Sequence, residues 1–327
     1  MPSRGPRPMP EQMTRQRLQR ELGLERILRA EPVAPGSWER FVEPSGAGLN
    51  HLFVLRCRGR DWVGRKTLQR DKRERLRSDS RIAPWMLLGP LGQFHWGNGG
   101  LQLDYQATRR VDKVRAFADA LEDPDSEIHF PFPALQSNGR EFVCPESHWA
   151  FADTLARGLD DGEAHLRHHC STLLRSWLKP GAVIHDPACS TGTFIHHLAQ
   201  ALPGSRCIGS DRSPSMIEAA RKRYGRSVDF RLADAGDAKP VIEYCDLLVL
   251  RFLNAEVMTR AQAEQLLRRL VSTLVPGGRL IVFGHTPVLP AMRYLAQQCE
   301  LTLVSSLASC SATGQLFQFY VLTRDPP

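Results

Sequence analysis

Residues 182–194, AVIHDPACSTGTF, constrain the fold of this chain more than any other stretch. They open with a short apolar run, residues 182–185, after a Pro-Gly pair, which is how a buried parallel strand usually begins. Asp186 and a turn of small residues follow. Because small residues keep side-chain bulk away from the backbone, a ligand can approach the main chain before a helix begins near Thr193. The stretch therefore predicts a nucleotide-binding strand, turn and helix.

Two well-known phosphate-binding patterns are missing from this turn. Ala188 and Ser190 stand where the dinucleotide fingerprint has glycines, and the Gly-Lys-Ser/Thr of a phosphate loop is absent. Both differences are expected for a nucleoside ligand that carries no phosphate.

The sequence DPACSTGTF resembles motif I of the class I methyltransferases that use S-adenosylmethionine (SAM). The resemblance implies that SAM is bound as substrate or methyl donor, with Asp186 at the strand end facing the methionine ammonium. It also implies that the turn passes under the ribose and the amino acid. The turn residues assigned to the SAM site are Ala188, Cys189, Ser190 and Gly192.

The spacing of two later acids extends the resemblance. Residues 206–210 are predicted to form a second strand that ends in Asp211, 25 residues after Asp186. A carboxylate at this place holds a nucleoside ribose, because both hydroxyls can donate to it. A third strand, residues 228–232, leads into Asp234 and Ala235, where members of the superfamily hold the adenine amino group with an acid. Further residues assigned to the SAM site are Arg212, Met216 and Arg251.

The remaining strands complete a doubly wound sheet. Residues 246–250 and 279–283 are predicted as strands four and five, and residues 301–306 and 316–323 as a final hairpin whose last strand is antiparallel in this superfamily. We expect an α/β fold, a doubly wound Rossmann-like class I methyltransferase sheet with a mixed N-terminal lid domain. The predicted limits are 1–10 for a disordered tail, 11–148 for the N-terminal mixed α/β lid and specificity region, and 149–327 for the SAM-binding domain.

The N-terminal region has a mixed pattern and one basic segment. Residues 11–30 and 111–121 predict helices, whereas residues 49–57 and 61–65 predict strands. Residues 65–81 carry eight basic side chains in a chain with a formal net charge of +8. Such a stripe is typical of phosphate binding, but a solvated helix is the plainer interpretation and the one we favour.

The turn also resembles the DPACGTG of adenine-N6 DNA methyltransferases. Those enzymes carry Asn/Asp-Pro-Pro-Tyr/Phe after strand four to grip a flipped base, and this chain has Arg-Phe-Leu-Asn at residues 251–254 instead. Nucleic acid is therefore not the expected partner, and an RNA methyltransferase ranks below the small-molecule alternatives.

Aromatic residues are concentrated between residues 85 and 151. A sulfonium is a cation that cannot donate a hydrogen bond, so aromatic faces are its natural partners in a dry site. We therefore predict an aromatic cover over the SAM pocket. The nine aromatic residues are Trp85, Phe94, Trp96, Tyr105, Phe130, Phe132, Phe142, Trp149 and Phe151.

The long N-terminal part, the ACSTG turn and the RFLN after strand four resemble a small bacterial branch that includes isonocardicin synthase and the azetidine-2-carboxylate synthases. The resemblance implies attack at the γ carbon of SAM with release of methylthioadenosine, by an external phenol in the former and by SAM's own amine in the latter. We favour cyclisation of SAM, or the related aminocarboxypropyl transfer, in small-molecule secondary metabolism. A conventional O- or N-methyltransferase is the alternative. The predicted catalytic residues are Phe252, Trp149, Tyr105 and Asn254, of which the three aromatic side chains would surround the sulfonium.

Composition agrees with an enzyme in the cytoplasm. No run of 18 apolar residues occurs, so no membrane partner is expected, and the N-terminus has no apolar signal core. The eight cysteines are scattered without a CxxC pair, which predicts reduced thiols and no metal site. The expected partner is a small molecule, either SAM itself or an acceptor, and the sequence leaves the oligomeric state open.

Overall fold

Two sheets organise the computed structural model, which describes residues 15–44, 48–67, 69–70, 76–77, 80–136, 138–237, 240–310 and 312–325. The first sheet has six strands and is built by the N-terminal half of the chain. The second has seven strands and is built by the C-terminal half. Within the described ranges, no helix combines the length and apolarity that crossing a bilayer requires.

The N-terminal sheet is antiparallel throughout, in the strand order β1-β7-β6-β3-β2-β8. The elements of the N-terminal half are α1 (Arg15–Arg29), β1 (Trp38–Glu43), β2 (Leu52–Cys57), β3 (Arg60–Arg65), the separate short pair β4 (Gln69–Arg70) and β5 (Leu76–Arg77), β6 (Leu87–Gly97), β7 (Gly100–Gln106), α2 (Arg110–Glu122) and β8 (Glu127–His129).

The basic segment departs from the sequence prediction. Its described parts, β4 and β5, pair as antiparallel strands, so the expected helix is wrong there. Arg65 and Lys66 are buried rather than solvated. Arg65 donates to Glu21 of α1 at 2.9 Å and to Glu43 of β1 at 3.1 Å, and this buried ion cluster joins the first helix to the sheet. Both side chains therefore pack inside the fold rather than on its surface.

The C-terminal elements follow a short helical turn, Glu146–Trp149. They are α3 (Asp153–Gly162), α4 (Ala164–Arg175), β9 (Val183–Asp186), α5 (Thr193–Ala201), β10 (Arg206–Asp211), α6 (Pro214–Tyr224), β11 (Asp229–Leu232), β12 (Cys245–Leu250), α7 (Arg260–Val271), β13 (Leu274–Val282), α8 (Met292–Gln298), β14 (Leu301–Cys310) and β15 (Gln315–Arg324).

The strand order β11-β10-β9-β12-β13-β15-β14 confirms the doubly wound α/β fold. All neighbours are parallel except β15, which is antiparallel to both β13 and β14. The chain order reverses between β9 and β12. In open α/β sheets ligands bind outside the carboxyl ends of the strands at such a reversal, which places the candidate site after Asp186 and Leu250.

Alternating side chains cover both faces of this sheet. Leu247 and Val249 of β12 pack in one apolar cluster with α4, α5 and α6, whereas Leu248 and Leu250 pack in another with α7 and α8. Successive strand residues point to opposite faces, so a central strand buried on both sides must be apolar throughout. Thr259 caps α7, because its hydroxyl accepts from the backbone N–H of Gln262.

The two halves of the chain also contact each other. Ile82 pairs with Leu316 of β15, and the Leu316 side chain belongs to the apolar core of the N-terminal half. Val143 pairs with Glu256 in the loop after β12. The N-terminal half therefore reaches the carboxyl edge of the C-terminal sheet before residue 149, and the domain boundary at 148 stays a prediction.

Candidate active site

A cavity of about 690 Å³ opens at the carboxyl ends of the central strands. This volume lies in the upper half of the range that ligand pockets span. One wall comes from residues 143–149 of the N-terminal half, and the opposite wall from the loops after β9, β10, β11 and β12. The predicted SAM residues that line the cavity are Ala188, Ser190, Asp211, Arg212, Met216, Asp234, Ala235 and Arg251.

Asp211 fixes the turn after β9. One carboxylate oxygen accepts from the backbone N–H of Ser190 and the other from that of Ser213, both at 2.9 Å. Each carboxylate oxygen has a second lone-pair site, so both can still accept a hydroxyl donor. Burial raises the pKa of Asp211, and the two backbone donors oppose that shift. The residue therefore fits the predicted role of ribose acceptor.

The turn needs its glycine for packing. Gly192 has φ of +80°, and a Cβ there would lie 2.5 Å from the ring of Phe230. Cys189 is buried in the core, where burial raises the pKa of its thiol. Neither residue lines the cavity, so the structure places both behind its surface, and their contact with SAM stays a prediction.

Hydrogen bonds within the loop after β11 and from α7 fix the position of Asp234. The backbone N–H of Gly236 donates to Asp234 at 2.6 Å. Arg269 of α7 donates to the carbonyls of Ala235 and Gly236 at 2.5 and 2.6 Å. The acid predicted to hold the adenine amino group therefore stands on a loop with a fixed shape.

A buried ion triad lies at the centre of the site. Arg251 donates through Nε to Asp186 at 3.0 Å and through Nη1 to both carboxylate oxygens of Glu163 at 2.5 and 2.6 Å. Its Nη2 donates to the carbonyl of Ala188 at 3.1 Å. Burial raises the pKa of Asp186 and of Glu163, and the charge of Arg251 opposes both shifts. The triad thus sets two carboxyl groups against one guanidinium.

Asp186 lies behind Arg251 in this triad. Its side chain is fully buried and does not line the cavity, and its direct contact with the methionine ammonium stays a prediction. Glu163 and Arg251 face the cavity instead. Sequence reasoning missed Glu163 because it lies at the junction of α3 and α4, where no motif marks it.

The aromatic cover is mostly absent. Of the nine predicted aromatic residues, Trp149 alone lines this cavity, where Phe252 after β12 joins it. The indole N–H of Trp149 has no hydrogen-bond partner among the residues that the structure describes. Tyr105 lies in the N-terminal core, donates to Glu39 at 2.8 Å and does not line the cavity, so the structure does not bring it to the other predicted site residues.

Asn254 lines the cavity but is engaged in the fold. Its amide is 2.5 Å from the hydroxyl of Thr286, which donates to the carbonyl of Ala255 at 2.7 Å. These bonds tie the loop after β12 to the loop after β13. His285 lines the cavity beside them, and its ring leaves no room for a Cβ on Gly162.

In the described ranges, no group of three His, Cys, Asp or Glu side chains is placed to hold a metal ion. The site's polar groups are instead carboxylates, a guanidinium and backbone amides.

Comparison with known proteins gives relatives of two kinds. A family model described as a methyltransferase domain matches residues 184–278. Isonocardicin synthase from Nocardia uniformis subsp. tsuyamanensis is 34% identical over 301 residues, which is 88% of this chain and 96% of that protein. Trans-aconitate 2-methyltransferase from Variovorax paradoxus is 32% identical over 110 residues, which is 34% of this chain and 41% of that protein.

Among solved structures, the SAM complex of magnesium protoporphyrin IX methyltransferase from Synechocystis PCC 6803 is similar to 54% of this chain. The similarity covers 86% of that chain, at 18% identity and a TM-score of 0.42.

Proposed function

Because this chain belongs to the class I SAM-dependent methyltransferase superfamily, in the group that contains isonocardicin synthase, we propose that it breaks the bond between the sulfonium and the aminobutyrate chain of SAM. The protein is a SAM-dependent enzyme of the methyltransferase fold. The favoured reaction is cyclisation of SAM to azetidine-2-carboxylate with release of methylthioadenosine.

The proposal rests on how much of this chain is similar to isonocardicin synthase. Isonocardicin synthase matches 88% of this chain, so the match includes residues that build the N-terminal half. The trans-aconitate methyltransferase matches only 34% of it. Since residues 143–149 form one wall of the cavity, the relative that shares this half is the better guide to what the cavity does.

Cyclisation balances without a second substrate. The amine lone pair attacks the γ carbon, a carbon–nitrogen bond forms, and the carbon–sulfur electron pair stays on sulfur as a neutral thioether. One proton leaves the amine. Nucleophile and electrophile belong to one molecule, so folding its chain replaces a bimolecular encounter.

The protein's residues supply binding and orientation in this proposal. Asp211 accepts the ribose hydroxyls and Asp234 the adenine amino group. Glu163, the carboxyl group of the triad that faces the cavity, lies on the side proposed for the positive end of the substrate. Phe252 and Trp149 offer ring faces to the sulfonium.

Two other reactions of SAM can be distinguished from cyclisation by their products. Aminocarboxypropyl transfer uses the same bond cleavage with an external nucleophile. Conventional methyl transfer is favoured by a different observation, because the methyltransferase-domain model matches residues 184–278, which build the SAM side of the cavity. It would yield S-adenosylhomocysteine.

The test is to incubate the full chain with SAM alone and to identify both products by mass spectrometry against an enzyme-free blank. The proposal expects methylthioadenosine and azetidine-2-carboxylate in equal amounts. Methylthioadenosine that forms only when an acceptor is added would indicate aminocarboxypropyl transfer. S-adenosylhomocysteine formed with an acceptor would contradict carbon–sulfur cleavage at the γ carbon.

The ring variants Phe252→Leu and Trp149→Leu test the sulfonium contact. Each keeps bulk and removes a ring face worth about 0.5–2 kcal/mol. If that contact strengthens in the transition state, the turnover rate should be lower by a factor between about three and about thirty. His285→Ala, on the same cavity, is expected to cost less than either. Steady-state rates of methylthioadenosine formation measure all three, and a large loss in the histidine variant with full activity in both ring variants would reverse the assignment.

A further inference from the structure

Glu256 is a cavity residue that the sequence did not mark. It lies in the loop after β12 and lines the cavity beside Val257 and Met258. Its backbone has φ of +73°, which is uncommon for a residue with a side chain. Its carbonyl accepts from the backbone N–H of Cys144 at 2.8 Å, and this contact with the N-terminal half holds the conformation.

Every other carboxylate in the cavity wall already has a donor. Glu163 is held by Arg251, Asp211 by two backbone amides and Asp234 by the amide of Gly236. Glu146 lies at the rim, 83% exposed, and pairs with Arg212 at 3.3 Å. In the part of the chain that the structure describes, the carboxylate of Glu256 has neither a hydrogen bond nor an ion pair within 4 Å. It is therefore the carboxylate left for a ligand.

The charges that face Glu256 are few. Burial raises the pKa of Glu256, and the ammonium of Lys66 opposes that shift. Lys66 is itself buried, with its ammonium 5.6 Å from the ring centre of Phe130. Burial, and after it the charge of Glu256, raise the pKa of the nearby Cys144 thiol to about 11. The thiol therefore stays neutral at physiological pH.

We propose that Glu256 accepts the proton that the attacking amine loses. The inference rests on the proposed function. A free α-amino group has a pKa of about 7.7–8.0, so it is mostly an ammonium at neutral pH and cannot attack. The first step transfers one proton from the ammonium to the Glu256 carboxylate. The freed lone pair then forms the carbon–nitrogen bond as the carbon–sulfur bond breaks, and Glu256 returns its proton to solvent after the products leave.

A dry aromatic pocket would favour the neutral amine without a base, but this cavity is of a different kind. The cavity has two aromatic side chains besides His285 and several carboxylates. Nearby negative charge favours the ammonium rather than the amine. A pocket that binds the ammonium well therefore needs a group that removes its proton.

The first arm of the test measures turnover of SAM by Glu256→Gln between pH 6 and 9.5. General bases contribute about 10²–10⁴-fold, so we expect a loss of that order in kcat at pH 7, whereas KM should rise only about five- to tenfold because the ammonium is bound less well. The loss should shrink as pH rises, since bulk solvent then deprotonates the amine. Glu256→Asp should recover part of the rate, and the exposed control Glu243→Gln should match wild type. An unchanged rate and pH profile in Glu256→Gln would overturn the role.

The second arm needs no turnover, so it separates this inference from the proposed function. Calorimetry compares SAM with an analogue whose α-amino group is replaced by hydrogen. Wild type should prefer SAM by roughly tenfold or more, because a charge-assisted hydrogen bond is lost in the analogue. In Glu256→Gln this preference should fall at least about fivefold. An equal preference in both proteins would show that Glu256 does not face the amine, whereas failure of wild type to form methylthioadenosine would overturn the proposed function instead.

Discussion

Replacing Arg251 with methionine is expected to lower the free energy of unfolding by about 3–5 kcal/mol. The substitution keeps much of the side-chain volume but leaves two carboxylates, Asp186 and Glu163, buried without their cation. Removing one partner of a buried ion pair costs more than removing both, because the remaining charge stays out of water. Urea-induced unfolding followed by circular dichroism measures the change.

The pH dependence of this loss has a definite sign. Without Arg251 the folded-state pKa values of Asp186 and Glu163 rise further above their unfolded values, so the folded state binds more protons than the unfolded state in the pH range between them. The free energy of unfolding then falls as pH rises through that range. The deficit of Arg251→Met relative to wild type should therefore be larger at pH 7 than at pH 5.

Two controls separate burial from charge. Arg40→Met breaks an ion pair with Asp104 in which the arginine is 53% exposed, and it should lower the free energy of unfolding far less than Arg251→Met does. The double variant Arg251→Met, Glu163→Leu removes one of the orphaned carboxylates and should recover part of the lost stability. A deficit in Arg251→Met no larger than that in Arg40→Met would contradict the buried triad.

Asp211→Ala is expected to weaken SAM binding by about 1.5–3 kcal/mol, measured by calorimetry. The variant removes a charged acceptor from two hydroxyl donors, and such hydrogen bonds are among the stronger ones in proteins. Because Asp211 also holds the amides of Ser190 and Ser213, the unfolding curve of the variant should be recorded beside its affinity. Asp229→Ala, on the neighbouring strand β11 and partly exposed, is the matched control. Unchanged affinity in Asp211→Ala would remove Asp211 from the site.

The central strands and their terminal acids were predictable from the sequence because each signal is local. Within about eight residues, an apolar run that ends in an acid predicts the strand, its carboxyl end and the acid that meets the ligand. The spacing of one helix and one turn then recurs from one strand to the next. Asp211 and Asp234 lie where these intervals place them, and both line the cavity. The capping box of Thr259 and Gln262 is equally local.

The rest of the site depends on contacts between distant segments. Glu163 meets Arg251 across 88 residues, and Glu256 is positioned by the backbone of Cys144. No local pattern marks either acid. Tyr105 was misplaced for the related reason that aromatic density does not show which face of a strand carries the ring. It lies on β7, whose buried side packs in the N-terminal core.

The basic segment shows a different limit. Arg65 and Lys66 have the composition of a solvated surface, yet both are buried, and Arg65 forms ion pairs with acids on α1 and β1. Charge counts describe a surface only when the fold leaves the charges outside, and here the acids that neutralise Arg65 stand 22 and 44 residues earlier in the chain.

The most direct measurement uses SAM labelled with ¹³C in its methyl group and follows the label by mass spectrometry in the presence of the full chain. The proposed cleavage at the γ carbon leaves the methyl group on sulfur, so the account predicts that all enzyme-formed adenosyl product is ¹³C-labelled methylthioadenosine, with unlabelled azetidine-2-carboxylate beside it. Unlabelled S-adenosylhomocysteine, with the ¹³C transferred to an added acceptor, would contradict it.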